Sequence, residues 1–284
     1  FKQKTAYEIG VRLVGSEMCI RDSYESEGYI ILPRFFDDAE VQELLEVMRR
    51  ILPTINRGTL TADHDPWTQE PGDDLNPLRV SYINDLFEYD QRLDDHMRSK
   101  RLVGVMMDLF GSDITAFQSA TVIKPPQINF DYHGWHQDMY DYQPLSNFKN
   151  ANAMTYLGDM GPGTGSTSLV PRSHLVGILQ PVWEDVEGWP KKQRRLEGFE
   201  KYEPDVITPH FRPGDVLVFD SRLMHRANSN ADDATKIGLV NVFQSADCID
   251  IEGKNDFHVA NLPIASQGKV LTREESMKMV SEGG

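Results

Sequence analysis

Cysteine is nearly missing from this chain: its 284 residues include two, Cys19 and Cys248. Two thiols so far apart build neither a disulfide framework nor a thiolate zinc site. So little cysteine fits a reducing compartment such as the cytoplasm. Long apolar runs are lacking as well. No stretch approaches the roughly 20 residues that span a bilayer, so no transmembrane helix is expected. Positive charge is scarce: 29 Lys and Arg stand against 44 Asp and Glu, a formal net charge of −15. A surface this acidic repels phosphate backbones and anionic lipid, which argues against nucleic acid and membrane as partners, and the charge itself reads as solubility. Internal repeats and low-complexity tracts are absent too. What is there, 39% hydrophobic and 26% charged residues, is the composition of a soluble globular chain.

Residues 2–23 (KQKTAYEIGVRLVGSEMCIRDS) stand apart. They resemble translated sequencing-adapter sequence, and Glu8, Arg12 and Glu17 interrupt any apolar core a secretory signal would need. With that segment set aside, residues 24–284 read as one domain. Its helical part covers 24–112, a barrel covers 113–250, and an extension covers 251–284. Residues 28–32 (GYIIL) suggest a strand. Asp37, with Glu40 three residues on, is a capping box for a helix whose Val41, Leu44, Leu45, Met48, Ile51 and Leu52 share one face, and Pro53 is expected to stop it. Residues 58–80 read as a long loop. A second helix is expected over 99–110, ended by Gly111. From there the periodicity changes. Strands are expected over 114–124, 151–157, 168–170, 206–208, 216–220 and 237–244, separated by Gly- and Pro-rich turns. Helices first and short strands afterwards indicate a mainly β fold, a barrel or jelly roll with helices packed outside. The alternation does not reveal strand order.

The run YHGWHQDMY at 132–140 is the most informative. His136 and Asp138 are two apart, and in a strand such residues share a face. The best candidate for a third ligand is His225, which follows a Pro-Gly-Asp turn and the apolar run VLVF and should sit at a strand end. Two imidazoles and one carboxylate on one side of an ion leave the opposite positions open, the arrangement of oxygen-activating iron(II). Spacing alone leaves structural histidines as the alternative. His133 is turned to the other face by its odd spacing, and His174 reads as structural.

The chain resembles the phytanoyl-CoA dioxygenase family of iron- and 2-oxoglutarate-dependent oxygenases. The matching pieces stand in family order: YESEGYIILPRFFDDAEVQELLEVM at 24–48, FQSATVIKPP at 117–126, WHQD at 135–138, GSTSLVPRSHL at 165–175 and RPGDVLVFDSRLMHRANSN at 212–230. The resemblance implies a double-stranded β-helix, a jelly-roll barrel holding Fe(II) on His136, Asp138 and His225. It implies 2-oxoglutarate and O2 as cosubstrates, oxidation of a C–H bond, and release of succinate and carbon dioxide. The family's arginine for the distal carboxylate of 2-oxoglutarate falls on Lys236, and the hydroxyl residue two positions later falls on Gly238. Both are departures, and lysine lacks the guanidinium fork. Gln118 matches a pocket-facing position that could bond the cosubstrate or substrate. Asn230 suggests a turn, and Trp135 and Tyr140 suggest aromatic packing beside the ligands. The family's halogenating members lack the carboxylate ligand, so Asp138 favours hydroxylation. A barrel that binds without turnover is the other alternative. The charged stretch 182–203 reads as an insertion that could fold over the site, and its Lys191, Lys192, Arg194 and Arg195 form the one basic cluster a coenzyme A thioester could use.

Overall fold

The capping box forms as written. In the computed structural model, which describes residues 17–55, 82–124, 126–127, 133–185, 193–252 and 261–282, Asp37 Oδ1 accepts from the amides of Ala39 (3.0 Å) and Glu40 (2.9 Å), and Glu40 Oε2 accepts from the Asp37 amide (2.8 Å). These bonds satisfy amides that a helix N-terminus leaves without intrahelical partners. The helix they open, α2 (Asp38–Ile55), follows α1 (Glu17–Glu27) and β1 (Tyr29–Leu32). It runs two residues past Pro53, the expected stop. α1 crosses the boundary placed at residue 23, and Arg21 Nε donates to the Asp108 carbonyl (2.8 Å).

Three further helices, α3 (Leu86–Tyr89), α4 (Gln91–Met97) and α5 (Lys100–Phe110), follow the short strand β2 (Tyr82–Asn84). Then come β3 (Ile114–Lys124), β4 (His133–His136), the short helix α6 (Asp138–Tyr142), β5 (Asn150–Tyr156) and β6 (Thr167–Leu169). β7 (Pro181–Glu184) and β8 (Gln193–Leu196) form a hairpin, followed by β9 (Val216–Asp220), β10 (His225–Ala227) and β11 (Lys236–Ser245). The chain ends with β12 (Leu262–Ser266), β13 (Lys269–Val270) and α7 (Arg273–Glu282).

Among the described residues the main sheet is antiparallel, in the order β1-β9-β5-β11-β3-β12-β13, with β2 also pairing with β3. A smaller sheet, β4-β10-β6, packs on it through Leu169 of β6, which shares a core with Met154, Leu217 and Phe219 of the main sheet. Sheet membership therefore extends beyond 113–250: β1 and β2 join from the helical part, and β12 and β13 from the C-terminal segment. Residues 206–208 form only a single bridge, Ile207 to Leu169, because Pro204 and Pro209 flank them and cannot donate to a ladder.

Alternation along β9 builds two cores. Val216 and Val218 face the layer filled by α2 and α5 with Val41, Met48, Leu102 and Met106. Leu217 and Phe219 face the barrel interior with Met154, Tyr156, Leu169 and Phe211. Each such buried side chain stabilises the fold by about 1.5–3 kcal/mol. The Pro-Gly-Asp turn before β9 requires its glycine. Gly214 has φ +85°, and a Cβ there would lie 2.0 Å from the Phe36 carbonyl oxygen.

One buried histidine lies outside the barrel. His96 on α4 stacks near Phe36 (centroids 4.8 Å). Its Nδ1 accepts from the Asn241 amide (3.2 Å), and Nε2 lies 3.0 Å from Thr155 Oγ1. Burial pushes its pKa down from 6.5 to about 4, against a smaller upward pull from Glu40. Below 6.5 the unfolded chain takes up a proton that the folded chain refuses until about pH 4. Stability is therefore full above pH 6.5 and falls through this window, by about 3 kcal/mol in total. Urea midpoints compared at about pH 7 and about pH 4.5 should show this loss, and His96→Gln should remove the His96 share of it while leaving that of buried His225, whose pKa is also pushed down to about 4. An unchanged slope in the variant would clear His96 as the cause.

A candidate metal centre in the barrel

The pairing of β4 with β10 sets His136 directly opposite His225, with ring centroids 4.1 Å apart. β4 stops at His136, and Asp138 opens α6 rather than continuing the strand. The same-face relation survives because Gln137 between them is extended (φ −125°, ψ 122°). Asp138 Oδ1 lies 3.3 Å from His136 Nε2, and Oδ2 lies 3.5 Å from His225 Nε2. Two donors bound side by side on an octahedral ion at about 2.1 Å stand on the order of 3 Å apart, so these spacings fit a shared ion. This is the one group of three or more candidate ligands among the described residues, with its donor atoms all within 4.8 Å of one another.

The hydrogen bonds around the three residues suit a metal. His136 Nδ1 meets the Gly134 carbonyl (2.7 Å) and His225 Nδ1 meets that of Leu223 (2.9 Å). A carbonyl only accepts, so each Nδ1 carries the proton and each Nε2 presents its lone pair to the centre. Burial, then the neighbouring His136, pushes the His225 pKa down to about 4, which leaves the ring neutral. Burial alone would raise the pKa of Asp138, but His225, His136 and Arg194 hold it well below the usual carboxylate range. Two imidazoles presenting Nε2 and an ionised carboxylate form a donor set for a divalent transition metal.

A residue missed in the sequence reading supports this arrangement. Asn152 on β5 donates to Asp138 Oδ2 (2.9 Å) and to Ser221 Oγ (3.1 Å), and the Ser221 hydroxyl donates to Asn150 Oδ1. A signal was present: in NANAMTY the asparagines alternate with alanines, which places both on one face of a strand with no exposed residues. Asn152→Ala is expected to weaken iron binding by about 10–100-fold, since it removes the group that orients the carboxylate. Anaerobic titration with ferrous ion measures this, and an unchanged affinity would reduce Asn152 to a packing residue.

Gln137, between His136 and Asp138, clips the surrounding loops. Its Nε2 donates to the carbonyls of Gly177 (2.8 Å) and Arg222 (2.6 Å), and its Oε1 accepts from the Leu179 amide (2.8 Å). Gln118 and Asn152 both pair in register with Val242 from opposite sides, so Gln118 faces the interior. Its Nε2 donates to Asn84 Oδ1 (3.0 Å) and its Oε1 faces the Tyr142 hydroxyl (3.5 Å). Lys236 lies on the same face of β11, buried, with Nζ 2.6 Å from Asp232 Oδ2. At Gly238 a Cβ would lie 2.5 Å from Met154 Cε. The methionine methyl fills the space a hydroxyl side chain would occupy.

The remaining candidates have structural roles. Asn230 Nδ2 bonds the carbonyls of Lys124 (3.2 Å) and Ala234 (3.0 Å), closing the turn before β11 onto the end of β3. Trp135 stacks on Phe199 (4.3 Å) under the Arg226 guanidinium. Tyr140 is exposed. His174 Nε2 bonds the Glu25 carbonyl (3.0 Å). The side chain of His133, the loop at 58–80 and Lys191 and Lys192 lie outside the described residues. The insertion folds as the β7–β8 hairpin, with β8 against β4. Arg194 is paired there with Asp141 (2.6 Å) and Arg195 with Glu184 (3.3 Å). No described helix is long and apolar enough to cross a membrane.

Comparison with known proteins agrees with this geometry. The family model for phytanoyl-CoA dioxygenase (PhyH) matches residues 24–238. An ectoine dioxygenase of Bordetella bronchiseptica is 24% identical over 236 residues, covering 78% of this chain and 73% of that protein. The crystal structure of EctD from S. alaskensis with 2-oxoglutarate and 5-hydroxyectoine superposes with a TM-score of 0.68 at 17% identity, covering 95% of this chain and 89% of the other. The non-haem α-ketoglutarate-dependent carbocyclase SnoK from nogalamycin biosynthesis gives 0.64 at 21% identity, covering 96% and 97%. These likenesses establish a jelly-roll barrel, and the family match covers most of the chain. The chain belongs to the phytanoyl-CoA dioxygenase family and is an iron- and 2-oxoglutarate-dependent dioxygenase.

Proposed function

We propose that this dioxygenase hydroxylates an aliphatic C–H bond of a small metabolite, releasing succinate and carbon dioxide, with His136, Asp138 and His225 as its iron ligands. The observation that carries this reading is the convergence of two Nε2 lone pairs and one carboxylate from β4, α6 and β10 on a single point. When bound, iron(II) and 2-oxoglutarate supply the oxidising chemistry that no amino-acid side chain possesses. The residues of the chain do the rest. The Gly134 and Leu223 carbonyls hold both imidazoles in the ligating tautomer, Asn152 aims the carboxylate, and the apolar layer of Met154, Leu217 and Phe219 excludes water. Lys236 serves the distal carboxylate of 2-oxoglutarate, and Gln118 offers an amide to the cosubstrate or substrate.

The presence of Asp138 favours hydroxylation over halogenation, because the position a halide would take is occupied by a carboxylate. The ion pairs of Arg194 and Arg195 favour a free metabolite over a coenzyme A thioester, since both guanidiniums already have acidic partners. The test is a substrate screen on succinate release by iron-loaded protein, followed by mass spectrometry of the product formed under 18O2. One labelled oxygen atom per succinate is the expected result. Release with no oxygen in the product would replace hydroxylation with another C–H oxidation, and no release that depends on iron and 2-oxoglutarate would end the proposal.

A further inference from the structure

Strand pairing alone gives the His136–His225 distance little support. β10 is three residues long, and it meets β4 at two residue pairs, His225 with His136 and Ala227 with His133, with an irregularity between them. A register is secure where a long face is buried, and so short a ladder buries little. The loop before β10 supplies what the ladder lacks. The carbonyls of Ser221, Arg222 and Leu223, three in succession, each accept from the segments that carry the ligands. Ser221 takes the Met139 amide (2.8 Å), Arg222 takes Gln137 Nε2 (2.6 Å), and Leu223 takes His225 Nδ1 (2.9 Å). Of these three donors only Gln137 is a side chain outside the triad. It stands between two residues that face the ion, so alternation turns it to the opposite side, where it is fully buried. There Nε2 also donates to the Gly177 carbonyl (2.8 Å), and Oε1 takes the Leu179 amide (2.8 Å). Ile178, between those two, packs on the cluster that holds Met139 and Tyr142 of α6, and β7 begins at Pro181.

We propose that Gln137 is a positioning residue of the iron centre: its one amide fixes the loop that delivers His225, and the root of the β7–β8 hairpin, against the segment of His136 and Asp138. This rests on the proposed ligands and goes beyond them to what keeps them within reach of one ion. Methionine at 137 has nearly the same length but cannot replace these bonds. It leaves the carbonyls of Gly177 and Arg222 and the amide of Leu179 unmet in a buried place, a costly state that is relieved only when the loops move toward other partners. Movement of Arg222 carries His225, three residues on, away from its place opposite His136.

The test uses the whole chain, titrated anaerobically with ferrous ion and, separately, with cobalt(II), whose visible bands report coordination geometry. In Gln137→Met the ferrous affinity is expected to fall by about 10–100-fold, the usual effect of losing an outer partner of a metal site. The cobalt bands should shift or change intensity while circular dichroism shows the fold retained. Asn230→Ala is the control. It too removes a buried amide that bonds two carbonyls, but at the turn before β11. It should melt earlier than the wild type and bind both ions as the wild type does. Equal losses of affinity in the two variants would reduce the effect to general destabilisation and overturn the positioning role. Wild-type affinity and wild-type cobalt bands in Gln137→Met would overturn it as well, and in either case the triad stands. If the wild type binds neither ion, the triad and the positioning role fall together. Should Gln137→Met not fold, Gln137→Glu takes its place with the same outcomes, since it keeps the length and an acceptor for the Leu179 amide but sets a carboxylate against two carbonyls.

Discussion

Asp138→Ala is expected to lower ferrous affinity by at least about 100-fold and to abolish 2-oxoglutarate-dependent succinate release. The reason is charge as much as geometry. Backbone carbonyls hold His136 and His225 by Nδ1 with Nε2 turned to the centre, and Asp138 carries the one negative charge of the triad. At an effective dielectric constant of about 20, unit charges about 4 Å apart interact by about 4 kcal/mol, and a divalent ion in direct contact feels more. Water taking the vacated position recovers part of this, which sets the lower bound. Isothermal titration with ferrous ion under anaerobic conditions measures the loss, and circular dichroism verifies the fold. Wild-type affinity in the variant would mean that the three residues do not share an ion, and the assignment would fail with it.

Lys236→Ala is expected to raise the apparent 2-oxoglutarate requirement by about 100- to 5,000-fold, because removing one member of a buried ion pair costs on the order of 3–5 kcal/mol. The ammonium is buried on the interior face of β11. Its partner Asp232 is a competitor, which yields a second arm. Asp232→Asn releases Lys236 from the 2.6 Å contact and should leave 2-oxoglutarate binding unchanged or tighter. Anaerobic titration of the charge-transfer band reads both variants. Parental affinity in Lys236→Ala, or a large loss in Asp232→Asn, would show that Lys236 serves only to close the turn before β11.

Much of this was legible because it depends on neighbours in sequence. The capping box at Asp37 and Glu40 depends on a spacing of three, and the strand at 114–124 matches its expected bounds. His136 and Asp138 converge because one extended residue separates them, and that holds even though Asp138 begins a helix. The fate of Pro53 and of residues 206–208 was misread. In both cases a local rule was applied without knowing what the surroundings would tolerate.

Other features were legible only in part. The asparagines of β5 could be placed on one face, but nothing in NANAMTY says that Asp138 lies beyond that face. The charged insertion could be marked out, but its hairpin and its contact with β4 depend on pairing between distant segments. The strands at 262–266 and 269–270 are too short to carry a periodic signal, and their places, the first beside β3 and the second beside the first, come from the ladders they complete.

By itself, then, the sequence determined the kinds of atoms available to a metal, the faces on which they lie, and the family motifs in order, because each is set within a few residues by backbone geometry. Tertiary structure alone decided that His225 stands opposite His136, that Asn152 supports Asp138, and that Gln118 and Asn152 flank Val242. Those three relations are registers between strands far apart in the chain, and a register is selected by burying one whole face of a sheet, which no local stretch can do alone.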